Sequence, residues 1–149
     1  MNEIPRKPPV TPTALSQTYW DGVACGELRL QACGSCGALR HYPRLLCDRC
    51  YSDSVRWVKA SGRGRIHSWT IAHHPYHPAF VTEVPYTLVL VDLDEGPRAL
   101  GRWAGGDLSI GAPVGGQFVT REGGADLVFS AVVGTGPALS QPADARVSQ

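Results

Sequence analysis

Apolar and polar residues alternate in short runs along most of this chain. Leu28, Leu30 and Ala32 interleave with Arg29 and Gln31, the period of a strand with one buried face. Ahead of it, Leu15, Tyr19 and Val23 recur at i, i+4 and i+8 with Trp20 beside them, which is a helical stripe. Thr13 as N-cap and Gly26 as stop predict a helix over residues 14–25. Such a helix either lies on the larger domain or binds another chain. An apolar stripe ahead of so small a segment favours partial burial on a partner, with Tyr19 and Trp20 as contact residues. From Ser54 the texture changes to short strands: residues 55–58, 65–73, 86–93, 98–103, 114–121 and 127–133. They are separated by turn signals at Gly62-Arg63-Gly64, Asp94-Glu95-Gly96-Pro97 and Glu122-Gly123-Gly124. The regular spacing fits a small Greek-key barrel of five strands.

Composition sharpens this picture. With 12 Pro and 17 Gly in 149 residues, loops and strands should outweigh helices. Pro5, Pro8, Pro9 and Pro12 predict an extended, mobile N-terminal arm. The predicted organisation is an arm and amphipathic helix over 1–31, a cysteine-rich ribbon over 32–53, a barrel over 54–137 and a polar tail over 138–149. The first residues lack the apolar core of a signal peptide, and no apolar run is long enough to span a bilayer. Both point to the cytoplasm and away from a membrane. The net charge of +1 gives no bulk argument for nucleic acid. Residues 29–65 nevertheless carry eight cations against two acids, leaving the rest of the chain at −5. That basic segment is either a solvated face or a docking surface for a phosphorylated ligand or an acidic partner.

The sharpest chemical signal is Cys33-Gly34-Ser35-Cys36 followed, ten residues on, by Cys47-Asp48-Arg49-Cys50. A two-residue gap lets both thiolates of a pair turn toward one ion, and two pairs complete a tetrahedral set. Zinc is the expected occupant, one ion with a structural role. Thiolates also bind iron, and two disulfides would need an oxidising compartment. Four protein ligands leave no position for water or substrate, so the site is not catalytic. Cys25 reads as a core thiol. His67, His73, His74 and His77 cluster in sequence, but Pro75 and Pro78 keep the last three off any helix and the H-E-x-x-H arrangement is absent. The stretch with His73, His74, Tyr76, His77 and Phe80 reads instead as a rigid recognition loop. No nucleophile elbow, P-loop or dinucleotide fingerprint is present.

Together these motifs resemble a known family, the acyl-CoA-associated proteins that join a rubredoxin-like zinc ribbon to an OB-fold. The resemblance runs from about Tyr19 to Val133. It rests on Tyr19-Trp20-Asp21-Gly22, the two cysteine knuckles, Gly62-Arg63-Gly64, Ser68-Trp69-Thr70, His77-Pro78-Ala79-Phe80, Val84-Pro85-Tyr86, Leu93 to Pro97 and Ile110 to Val114. It implies a mainly β protein with an N-terminal helix, a zinc ribbon and a five-stranded OB barrel. It also implies an accessory subunit with no catalytic residues of its own, complexed with a thiolase-like enzyme (thiolase, aldolase or acyltransferase) and helping to form its acyl-CoA channel. Asp48 and Tyr51 stand where the family often has Pro and Gly, so the second knuckle's turn is expected to differ. Arg63 and Arg65 at one end of a long strand, and the His73–Phe80 loop at the other, are the expected ligand and partner contacts, the arginines facing CoA phosphates or partner acids. Two rival readings remain: an OB-fold binder of single-stranded nucleic acid, and a small enzyme using the histidine loop.

Overall fold

The computed structural model describes residues 5–132; the tail assigned to 138–149 lies outside them. The chain folds as a short helix α1 (Gln17–Ala24), a three-stranded sheet of β1 (Arg29–Cys33), β2 (Leu39–Arg40) and β3 (Val55–Lys59), and a closed barrel. The barrel strands are β4 (Arg63–Ala72), β5 (Tyr86–Leu93), β6 (Arg98–Trp103), β7 (Pro113–Arg121) and β8 (Gly124–Ala131), with a 3-10 turn at Pro78–Phe80. The small sheet has the order β2-β1-β3 and the barrel β4-β5-β6-β8-β7. This is the mainly β, ribbon-plus-barrel architecture that the sequence implied.

Strand β3 differs from expectation. All five of its residues pair antiparallel with β1, from Arg29↔Lys59 to Cys33↔Val55, so it belongs to the ribbon's sheet. The change of texture at Ser54 marks the end of the knuckles, one strand ahead of the barrel. Gly62-Arg63-Gly64 is likewise more than a turn. Gly62 turns the chain at φ +75°, but Gly64 is already inside β4, where a Cβ would run into the Asp92 carbonyl and the Val91 side chain.

The helix is shorter than predicted at its start. Ser16 is the N-cap position, and residues 13–16 form a turn in which the Ser16 N–H donates to the Thr13 carbonyl at 3.0 Å. Gly26 closes the helix with φ +73°, as expected. The apolar stripe does not await a partner. Tyr19 and Val23 are buried in the chain's own core with Leu28, Leu30, Val89, Val91 and Phe129, and Trp20 packs against that cluster. The helix packs against β1 and β8. Strands β6 and β8 run parallel and share two register pairs, Arg102↔Val128 and Trp103↔Phe129. Below those rungs the exposed Leu100 N–H donates to Tyr42 Oη at 3.3 Å.

The arm is also tied down over the described residues. Lys7 pairs with Glu83, which in turn pairs with Arg102 at 2.6 Å, and the Val10 N–H donates to the Gly123 carbonyl at 3.0 Å. Proline stiffens the arm, and these contacts set its course across the barrel from Pro5 onward.

At the seam between helix and ribbon, His41 lies between the rings of Tyr42 (centroids 3.9 Å) and Tyr19 (5.4 Å), and neither ring nitrogen has a hydrogen-bond partner. Burial pushes its pKa down from 6.5 to about 4. Between those values the unfolded chain binds the proton and the folded one does not, so this stability is complete above pH 6.5 and lost as pH falls toward 4. His41→Phe should remove that dependence, worth on the order of 3 kcal/mol across the window. Urea unfolding at pH 7 and at pH 4.5 checks it: the gap between the two pH values should narrow in the variant.

Candidate functional site

The ribbon builds a four-sulfur centre from its backbone outward. In the first knuckle the Gly37 N–H donates to the Cys33 carbonyl at 3.0 Å; in the second, the Tyr51 N–H donates to the Cys47 carbonyl at 2.9 Å. Gly37 has φ +74° and Tyr51 has φ +59°. The second knuckle therefore keeps the form of the first, and the expected difference in its turn is absent: Tyr51 takes the left-handed conformation that glycine takes freely. Backbone N–H groups aim inward at sulfur, Cys36 N–H to Cys33 Sγ and Arg49 N–H to Cys47 Sγ, both at 3.4 Å.

Cys33 Sγ lies 3.6 Å from Cys50 Sγ and Cys36 Sγ 3.6 Å from Cys47 Sγ, and all four sulfurs fall within 4.8 Å of one another. A tetrahedron with metal–sulfur bonds of about 2.3 Å has edges of roughly 3.8 Å, so the set fits one tetrahedral ion. Cys33 and Cys47 are buried, Cys36 and Cys50 exposed. The Cys36 N–H holds the Cys33 thiol down to about 6, and the Arg49 N–H lowers that of Cys47. The Ser52 N–H pulls Cys50 down too, but Cys33 and Cys36 beside it outweigh this and push it up to about 12. Crowded thiols that resist collective ionisation call for a cation among them. The ribbon's own apolar cluster comprises only Cys33, Ala38 and Cys47. Cys25 is exposed and is not the core thiol that was expected.

The other predicted site residues scatter. Arg63 and Arg65 are exposed at the start of β4, where Arg65 Nη1 donates to the Gly111 carbonyl at 3.0 Å. Strand β4 runs ten residues to Ala72, about 33 Å, which puts the histidine loop at the far end as expected. In that loop His73, His74 and Tyr76 face solvent, and Tyr76 is 85% exposed. His77 and Phe80 do not point outward. His77 Nδ1 accepts the Ala79 N–H at 3.1 Å and caps the 3-10 turn, while Phe80 packs toward Tyr86 and lies under the cations of Lys7 and Arg102. Among the described residues the histidines form no metal-ligand group with one another. Tyr19, buried at 8% exposure, leaves the set of partner contacts, whereas Trp20 stays half-buried. The basic segment is also thinner than its count: Arg40 is buried with its Nε on Gln31 Oε1 at 2.5 Å, and Arg29 and Lys59 both pair with Glu27.

Two clusters escaped sequence reasoning. His67 Nδ1 and Arg98 Nε both sit on Asp92, at 2.9 and 2.6 Å. The β5–β6 register sets Asp92 opposite Arg98, and the break in the β4–β5 register between Ile66 and Ser68 leaves His67 beside it, neither of which is local in sequence. The Lys7–Glu83–Arg102 group left no local signal, since its members come from three distant segments. Among the described residues no hydrogen bond joins a Ser, Thr or Cys side chain to a histidine, and no helix is long and apolar enough to cross a membrane.

A four-cysteine ribbon packed on a five-stranded barrel defines the class of zinc-ribbon OB-fold proteins. Two family models match this chain in succession, the rubredoxin-like zinc ribbon domain of ChsH2 over residues 20–56 and the C-terminal OB-fold domain of ChsH2 over 57–119. A chain of the solved structure called Ltp2-ChsH2(DUF35) aldolase superposes with a TM-score of 0.73 at 32% identity, covering 82% of this chain and 98% of that one. A DUF35 domain-containing scaffold protein of Methanothermobacter thermautotrophicus is 33% identical over 103 residues, 66% of this chain and 77% of its own length. A probable enoyl-CoA hydratase alpha subunit of Thermomonospora curvata is 42% identical over 91 residues, 59% of this chain. The chain spans only 28% to 32% of the length of the hydratase alpha subunits it matches. The chain belongs to the DUF35 family, in its ChsH2-type form.

The knuckle comparison yields a test. Tyr51 is 78% exposed, so its side chain contributes little packing, while a left-handed non-glycine residue costs roughly 1–2 kcal/mol. Tyr51→Gly should raise the melting temperature modestly, the gain being trimmed by glycine's greater freedom in the unfolded chain. Tyr51→Ala should not. A glycine variant that melts below wild type would contradict the assignment.

Proposed function

We propose that this chain is the non-catalytic accessory subunit of a thiolase-like enzyme (thiolase, aldolase or acyltransferase), that it helps form the acyl-CoA channel of that complex, and that Cys33, Cys36, Cys47 and Cys50 hold one structural zinc. The observation that carries this reading is the near-complete cover, 98% at 32% identity, of a chain in a structure named as a two-component aldolase. The relatives named as hydratase subunits support the acyl-CoA substrate class. The closed four-sulfur set supports a structural metal, since no coordination position remains for a substrate. The knuckles' own buried cluster is two of the ligand cysteines and Ala38, so this part of the ribbon draws its folding energy from the ion.

In this reading Arg63 and Arg65, exposed and with donors to spare, meet the phosphates of CoA or acidic groups of the partner. His73, His74 and Tyr76 face the partner at the other end of β4, near its acyl channel. A separation of about 33 Å suits an extended ligand or a broad protein surface better than a compact active site.

Purified with its natural catalytic subunit, the complex should turn over acyl-CoA, while the isolated chain should show none. Turnover by the chain alone at an ordinary enzyme rate, about 1–10³ per second, would overturn the proposal. Metal analysis of unchelated protein should return one zinc per chain, and Cys36→Ser should lose it together with most of the ribbon's stability. In the complex, Arg63→Ala combined with Arg65→Ala should raise KM for the CoA substrate several-fold with little change in kcat. Unaltered kinetics would remove both arginines from the ligand.

A further inference from the structure

We propose that the distal half of β4, residues 67–72, is a docking edge that receives an extended strand of the catalytic subunit. This inference rests on the accessory-subunit reading and adds where and how the two chains join. On one side β4 pairs with β5 along its whole length, to Ala72↔Tyr86. On the other side it pairs with β7 only at Arg63, Gly64 and Arg65, followed by the Ile66 N–H on the Ala112 carbonyl and the Gly111 N–H on the Ile66 carbonyl. Beyond Ile66 no described residue makes a backbone hydrogen bond to that edge.

An open edge exposes unpaired N–H and C=O groups, and proteins guard such edges with charged side chains, prolines or a covering element. Among the described residues its guards are few: the register break between Ile66 and Ser68, and His67 at the near end, paired with Asp92. The five residues Ser68-Trp69-Thr70-Ile71-Ala72 contain no charge and no proline. Trp69 and Ile71 share the face of Val89 and the barrel interior through the pairs Trp69↔Val89 and Ile71↔Thr87, yet they are 38% and 49% exposed. A β-prone, uncharged, half-apolar edge of this kind is matched by an added strand, whose main chain supplies affinity and whose alternate side chains meet Trp69 and Ile71. Five residues of edge fall well short of the roughly 1,200 Å² that a stable interface buries, so pairing of two copies through this edge alone is insufficient. A larger partner can continue onto the loop with His73, His74 and Tyr76 that β4 leads into.

The test compares amide exchange in the isolated chain with that in its complex with the thiolase-like subunit that copurifies with it. Exchange within 67–72 should slow at least tenfold on binding. Ile71→Lys should weaken the complex at least tenfold while leaving zinc content and melting temperature as in wild type, and Ile71→Val should bind normally. A complex that forms without protecting 67–72, or that Ile71→Lys leaves intact, overturns the docking edge and leaves the accessory reading standing. If wild type captures no such subunit, the accessory reading fails and the edge assignment with it. Protection that grows with concentration in the isolated chain makes a second copy the occupant. Protection lost on deleting residues 133–149 makes the chain's own tail the occupant. Either result also overturns the proposal.

Discussion

Strand β1 is the constraint on which both halves of this molecule depend. It is the middle strand of its sheet, and every residue after Arg29 is buried. Alternation along a strand sends its side chains to opposite faces, and here the faces have unlike tasks. Leu30 enters the cluster that fills the barrel. Gln31 turns the other way and fastens the ribbon's spacer, its Oε1 accepting both the Arg40 Nε–H and the Arg44 N–H. Cys33 at the end of the strand is the first sulfur of the metal set. A register slip of one residue would exchange the apolar and polar faces and carry the first ligand away from the other three.

Patterns local in sequence were legible. Cysteine spacing announced the four-sulfur centre because its geometry is set within each knuckle. Alternation and turn residues announced the barrel strands because both are short-range. What could not be read were choices decided by pairing across the chain. The run Val55–Lys59 looks like any strand, and only the complementary length of β1 assigns it to the ribbon. The stripe of Tyr19 and Val23 states that the helix has an apolar face, not which surface covers it; β1 and β8 supply the cover. His77 and Phe80 looked outward because loops carry recognition, but a residue ahead of Pro78 is well placed to cap the turn that follows. Phe80 then falls beside Arg102, whose guanidinium stacks on Tyr86 at 4.2 Å.

The barrel works as a spacer as much as a container. Its longest strand separates an arginine end from a histidine end, and the metal centre stands off on a separate sheet with no open coordination position. Among the described residues the exposed arginines and the exposed histidines of the loop lie at opposite ends of that strand, over a wide surface. Asp92 illustrates the contrast with a catalytic carboxylate. Arg98, and then His67, hold its carboxyl below the usual range, and each of its charges is met from within this chain.

The contact between the arm and the β7–β8 turn joins segments far apart in sequence. The arm finds its place only when that turn supplies the Gly123 carbonyl to the Val10 N–H. The course of the arm therefore depends on a turn more than a hundred residues further along the chain. Contacts of such long sequence separation make assembly slow and concerted. Until β1 and β8 meet around the helix, Tyr19, Trp20 and Val23 are apolar surface open to aggregation.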